Sequence, residues 1–195
     1  GDDFRSLMDT YKPESQVMLM IGGLADGEQV MILEASDGQR VFAFYSSNDL
    51  VCLDLDGNLL WYRGLTHDFP NASNSLGMAS SPVVSGETVI VQVENHSDSF
   101  SAGLDVRTGQ TRWRRQQTRF DNWTSPVVLK GRDGEDDLVL LQNSAGMTAV
   151  DPLTGKEAWK YDQPSARTPS SVVVNGTILV PSNGLTALRP VPGQS

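Results

Sequence analysis

The chain has 195 residues, 38 % hydrophobic and 20 % charged, which suits one sizeable soluble domain or two small ones. Its formal net charge of −9 argues against nucleic acid as a partner, because the phosphates would be repelled. No apolar run reaches the ~20 residues of a membrane span, so none is expected.

Residues 1–16 are polar, contain Pro13 and show no period, so they read as a loose N-terminal arm. No signal peptide is recognisable, and a first residue of Gly suits a processed or truncated chain. Residues 17–195 read as one repetitive β domain. Val17–Ile21 is a short apolar stretch of ambiguous type. Strands are expected at Gln29–Glu34, Val41–Tyr45, Leu50–Leu55 and Leu59–Tyr62, then a polar loop at Thr66–Leu76. A second set falls near Pro82–Ser85, Thr88–Val93, Phe100–Val106 and Thr111–Arg115. A third covers Ser125–Leu129, Leu138–Gln142, Met147–Val150 and Glu157–Tyr161. A fourth has three members, Ser171–Val174, Thr177–Val180 and Leu185–Leu188. Apolar alternation and closely spaced Gly or Asn-Gly turns mark these as antiparallel strands, and no stretch carries a helical period.

Two motifs alternate along this series. Ser80-Ser81-Pro82-Val83-Val84 recurs as Ser125-Pro126-Val127-Val128 and as Ser170-Ser171-Val172-Val173. An Asp-turn-Trp motif recurs as Asp105-Val106-Arg107-Thr108-Gly109 to Trp113 and as Asp151-Pro152-Leu153-Thr154-Gly155 to Trp159. A looser copy runs from Asp54 to Trp61. Asp and Thr can bond the backbone of their own turn, and Gly accepts the positive φ that closes it. Each Trp then offers a large ring to the neighbouring unit. Four strands per unit at this period define a β-propeller blade. Blades are expected at about 28–65, 80–117, 124–163 and 168–190.

The run Ala149-Val150-Asp151-Pro152-Leu153-Thr154-Gly155-Lys156-Glu157-Ala158-Trp159 matches A-x-D-x-x-T-G-x-x-x-W throughout. It resembles the repeat of the pyrroloquinoline-quinone-type, or quinoprotein-like, propeller family. The copy ending at Trp113 departs from it with Gly103 in place of Ala, and the copy ending at Trp61 lacks Thr. The resemblance covers roughly residues 28–190. It implies an all-β propeller of about four four-stranded antiparallel blades, or a fragment of a larger ring. It also implies a periplasmic or secreted bacterial protein. Members include quinoprotein dehydrogenases and binding propellers. The expected function is therefore a non-catalytic binding or scaffold domain. The rivals are part of a quinone-dependent dehydrogenase and the sensor ectodomain of a larger receptor.

A fold does not carry its chemistry with it. The dehydrogenases of this family use an adjacent-cysteine disulfide and eight blades, whereas this chain has one cysteine, Cys52, and fewer repeats. No cofactor is expected. Cys52 lies in an apolar run and reads as a buried thiol. Asp54, Asp105 and Asp151 are assigned to their turns, with Thr108, Gly109, Thr154 and Gly155. Asp54–Asn58 and Asp133–Asp137 have a weak likeness to calcium loops but lack the alternating ligands and distal Glu of an EF-hand. They read as solvated turns, with a weak Ca²⁺ site at Asp133–Asp137 as the alternative. N-x-S/T sequons at Asn71, Asn95, Asn122 and Asn175 are explained by chance in an Asn- and Ser-rich chain about as well as by glycosylation, and would matter only in a secreted eukaryotic protein.

Binding candidates fall on the long loops: His67, His96, Asn122 and Trp123. Trp123 stands outside the motif position and reads either as core filler near the ring axis or as an exposed loop aromatic. A protein or small ligand on the loop face is the expected partner. Trp61, Trp113 and Trp159 are expected to be largely buried pegs, with Trp159→Ala costing roughly 3–5 kcal/mol. The fourth unit lacks an Asp-turn-Trp ending. Val17–Ile21 is expected to supply its missing strand beside Leu185–Leu188. The alternative is an open ring whose ends pair in a homodimer.

Overall fold

The computed structural model describes residues 32–72, 80–132 and 134–190. The arm 1–16 and the closing segment Val17–Ile21 lie outside them. The described chain is four antiparallel sheets met in sequence order. The first is β1 (Ile32–Ser36), β2 (Arg40–Tyr45), β3 (Asp49–Asp54) and β4 (Leu59–Gly64). The second is β5 (Val83–Ser85), β6 (Thr88–Val93), β7 (Phe100–Asp105) and β8 (Thr111–Gln116). The third is β9 (Val127–Leu129), β10 (Leu138–Asn143), β11 (Gly146–Val150) and β12 (Glu157–Tyr161). The fourth has only β13 (Val172–Val174), β14 (Thr177–Ser182) and β15 (Gly184–Leu188). One helical turn, α1 (Leu65–Asp68), follows β4. The sequence reads as loop there, because four residues are too few to show a helical period. The turn is pinned by buried Leu65 and by Phe69 N–H donating to Leu65 O at 2.8 Å.

The first strands of successive sheets touch, β1 to β5 to β9 to β13, so they form the inner line of the assembly. The S-P-V-V motif explains the spacing. Ser81 N–H donates to Ser125 Oγ at 2.9 Å, and Ser125 N–H donates to Ser170 Oγ at 2.8 Å. Each unit's hydroxyl thus satisfies the entering backbone of the unit before it. Apolar faces fill the gaps between sheets. Phe42, Phe44, Leu50 and Cys52 pack on Val89, Val91, Phe100 and Leu104. Ile90 and Trp113 pack on Val139, Leu141 and Val150, and Leu140 and Met147 pack on Ile178 and Val180. Buried Cys52 has its thiol pushed up to about 11, chiefly by desolvation.

The Asp-turn-Trp motif is a seat. Asp105 Oδ1 accepts Arg107 N–H, Thr108 N–H and Thr108 Oγ1 at 2.9, 3.0 and 3.2 Å. Asp151 Oδ1 accepts Thr154 N–H and Oγ1 at 2.7 and 2.8 Å. Gly109 and Gly155 close these turns at φ 69° and 68°, a conformation costly for residues other than Gly and Asn. The ring of the preceding unit lies on that glycine. A Cβ on Gly109 would come 2.7 Å from the Trp61 ring, and one on Gly155 would come 2.5 Å from Trp113. The indole N–H then donates across: Trp61 Nε1 to Val106 O at 3.0 Å, Trp113 Nε1 to Pro152 O at 2.9 Å. Two residues on, Arg63 and Arg115 donate to the carbonyls of Gly109 and Gly155.

Gly103, the departure from the motif, has a reason in this packing. A Cβ there would sit 2.3 Å from Trp113 Nε1, so Trp113 lies between its own sheet's glycine and the next unit's. Burial differs among the three rings. Trp113 is 8 % exposed, whereas Trp61 and Trp159 are half-buried. A ring on the outermost strand is covered only as far as its neighbour reaches. The largest loss on truncation is therefore expected at Trp113 rather than Trp159.

Asp151→Asn keeps the side chain's shape but weakens its acceptance of two donors. It should lower stability by about 1 kcal/mol in a denaturant titration. Any ligand affinity of the folded protein should stay unchanged, because the turn is at the opposite end from the loops described next.

Candidate functional site

Strand direction alternates within each sheet, so two kinds of connection separate. The turns joining first to second and third to fourth strands fall at one end. The turns joining second to third strands, and the crossings to the next sheet, fall at the other end, called here the connector face. His67, His96, Asn122 and Trp123 all lie on connector-face segments.

Beneath that face is a buried polar network. Gln92 in β6 donates Nε2 to Glu94 Oε1 at 3.0 Å and to Gln142 O at 2.6 Å. The same Gln142 carbonyl accepts Asn122 Nδ2 at 2.9 Å and Thr124 Oγ1 at 2.8 Å. The Gln142 side chain reaches the fourth unit. It donates Nε2 to Ala166 O at 2.6 Å and accepts Ser171 N–H and Oγ at 2.8 and 2.5 Å. One residue thus ties the second, third and fourth sheets together.

Glu94 is 1 % exposed. Burial pushes its carboxyl up to about 8, against the pull of hydrogen bonds from Gln92, Asn143 and Asn122. A carboxyl there holds its proton near neutral pH. That suits the surroundings, since Gln92 Oε1 and Asn122 Oδ1 are buried acceptors with no donor of their own.

On the surface above, His96 Nε2 lies 2.9 Å from Asp121 Oδ2, and its ring meets exposed Phe120 edge-on at 5.4 Å. The Arg167 guanidinium stacks on Phe120 at 4.3 Å, and Trp123 N–H donates to Arg167 O at 2.7 Å. His96, Asn122 and half-buried Trp123 are therefore brought together through Asp121. Asn122 is buried and belongs to the network rather than the surface. His67 stands apart in α1, nearly fully exposed, 3.8 Å from Asp68.

Gln92, Glu94, Gln142, Phe120, Asp121 and Arg167 escape a motif-based reading. The available signal is a Gln near the end of the second strand in two consecutive units, Val91-Gln92 and Leu141-Gln142, where neighbouring residues are apolar.

The acidic turns serve themselves. Asp54 Oδ1 accepts Asp56 and Asn58 N–H at 2.9 and 2.8 Å, which with the Asn58 side chain lowers its pKa. Asp137 takes Gly131 N–H and Lys130 Nζ, each at 3.0 Å. Asp133 lies outside the described residues.

Four radially ordered antiparallel sheets, seated on one another by Trp and Gly, define a β-propeller of quinoprotein-like type. The family model described as outer membrane protein assembly factor BamB matches residues 22–190, and the chain belongs to that family. No curated protein matches the chain. Among solved structures it is similar to BamB from Moraxella catarrhalis, with 20 % identity and a TM-score of 0.60, over 89 % of this chain and 59 % of that one. It is also similar to the quinohemoprotein alcohol dehydrogenase from Comamonas testosteroni, with 17 % identity and a TM-score of 0.55, over 82 % and 35 %. A europium-containing methanol dehydrogenase gives 15 % identity and a TM-score of 0.55, over 80 % and 41 %. The chain thus spans less than two thirds of each of these proteins. No helix among the described residues is long and apolar enough to cross a membrane.

Proposed function

We propose that this chain is part of a non-catalytic scaffold that binds protein through its connector face, in the periplasm or outside a bacterial cell. The observation that carries the reading is the division of labour between the two ends. At one end the motif carboxylates are consumed by their own turns. At the other, Phe120, His96 and Arg167 present an aromatic and charged surface on a rigid polar base. Aromatic and Arg side chains on a well-supported surface are what protein interfaces draw on. The family description, an outer membrane protein assembly factor, supports a partner among proteins handled in that assembly.

The competing reading is one part of a quinone-dependent dehydrogenase, to which the likeness to two dehydrogenases, one of them a quinohemoprotein, gives weight. Titration with pyrroloquinoline quinone and Ca²⁺, followed by absorbance and Tm, separates the two. The scaffold reading expects no saturable change. A saturable shift in both signals would overturn it.

A further inference from the structure

The arginines on the strands are all paired with carboxylates. On β8, for example, Arg112 holds Asp105, Arg114 holds Asp98 and Arg115 holds Glu157, at 2.5, 2.8 and 2.8 Å. Arg119 and Arg167 form no ion pair among the described residues, and both stand on connector-face crossings. Arg132 and Arg189 also lack one, but they lie at the opposite end, where they donate to Asn175 O and Thr177 Oγ1.

The connector-face pair is displayed by its backbone. Phe120 N–H donates to Thr118 O at 2.9 Å, a tight turn with Arg119 at its apex, and both Arg119 and Phe120 are exposed. The Arg167 guanidinium lies over the Phe120 ring, 4.3 Å from its centroid, and its Nη1 donates to Asp121 O at 3.3 Å. Stacking uses the flat face of a guanidinium, whereas a carboxylate takes two N–H groups of its edge. Arg167 has five such donors, and among the described residues only that one carbonyl meets them. The neighbouring carboxylate, Asp121, lies against His96 Nε2 at 2.9 Å rather than against either arginine. Two arginines face one carboxylate here, on a chain whose net charge is −9.

The second and third sheets each have a neighbour on both sides. Further sheets of the same polypeptide would therefore join the ends of the series and leave the crossing between these two clear. We infer that this patch binds an acidic segment of a partner protein, with one carboxylate bidentate on the free edge of Arg167 and another met by Arg119. The inference rests on the connector-face reading and adds the chemistry of the partner. A discrete acidic segment meets only the local excess of positive charge, because salt screens the rest of the chain within about 10 Å. An anionic membrane surface would instead meet the field of the whole acidic chain and be repelled.

The probe is a labelled peptide, Gly-Glu-Glu-Phe-Glu-Glu-Gly, followed by fluorescence polarisation with the full chain at low salt. Saturable binding at submillimolar protein is expected, weakened by roughly tenfold or more when the four Glu are replaced by Gln. Arg167→Glu and Arg119→Glu should each weaken it by a similar factor. Arg167→Lys should fall between, since it keeps the charge and loses the planar fork. The Arg167 variants keep the carbonyl that accepts Trp123 N–H, so they are expected to fold, and circular dichroism checks that they do. Absence of saturable binding overturns the inference, as do equal binding of the Glu and Gln peptides and binding that both charge reversals leave unchanged. Co-sedimentation with phosphatidylglycerol vesicles that Arg167→Glu abolishes would also overturn it, in favour of a lipid surface. Photo-adducts at position 120 with no binding of the Glu peptide would sink the acidic class alone and leave the connector-face reading standing.

Discussion

Trp113→Ala should lower the unfolding free energy by about 3–5 kcal/mol, the largest stability loss expected of any single truncation in this chain. The ring is 8 % exposed and joins two sheets rather than one. It lies with Val83 and Ile90 of its own sheet against Val139, Leu141 and Val150 of the next. Its Nε1–H satisfies Pro152 O at 2.9 Å, and its face rests on Gly155. Removal opens a cavity at a joint that cannot collapse without moving a whole sheet. Trp113→Phe keeps much of the apolar area but leaves the carbonyl without its donor, so a smaller loss of about 1–2 kcal/mol is expected. In repeat architectures a weakened joint also reduces cooperativity. A lower denaturant m-value in the Ala variant would show the sheets separating before they unfold. A loss under about 1 kcal/mol would mean that the ring is not the peg described here.

The second large effect concerns pH. Glu94 ionises near pH 4.3 in an unfolded chain, but burial raises it to about 8 in the folded protein. The folded state therefore binds the proton more tightly. The stability linked to Glu94 is fully present below pH ~4 and is lost as pH rises through the interval up to about 8. By pH 9 the charged form is imposed on a site built for the neutral one. Glu94→Gln supplies a neutral group of the same size with two donors, in a cluster where Gln92 Oε1 and Asn122 Oδ1 lack one. Urea titrations at pH 5 and pH 9 should show the wild type losing roughly 2–4 kcal/mol more than the variant across that range. Parallel losses in both proteins would show that Glu94 ionises freely and that the network is not closed around it.

Much of the fold is readable because its parts are local. Thr88–Val93 and Glu157–Tyr161 are short runs rich in β-branched or aromatic residues between turns, and their boundaries are those of β6 and β12. Among the described residues the fourth sheet has three strands, which agrees with the absence of an Asp-turn-Trp ending after Leu188. What does not show in sequence depends on neighbours far along the chain. Nothing in the letters around Trp61 and Trp113 says that one is half-buried and the other buried. The difference comes from how far the next unit reaches over each ring. His67 and His96 look alike as loop histidines, yet only His96 meets an acidic partner from a different segment, Asp121. The network is the least visible feature. Gln92 and Gln142 pass for ordinary polar strand ends until the sheets are stacked, when Gln92 Nε2 finds a carbonyl 50 residues away.

The central claim is that partners meet the connector face. A photo-reactive phenylalanine analogue placed at Phe120 tests it most directly, with Leu153 in the opposite-end turn as the control; both side chains are exposed. Irradiation of the protein in its native host cells should give discrete protein adducts from position 120 and none from position 153. Adducts from position 153 alone, or equally from both, would contradict the account.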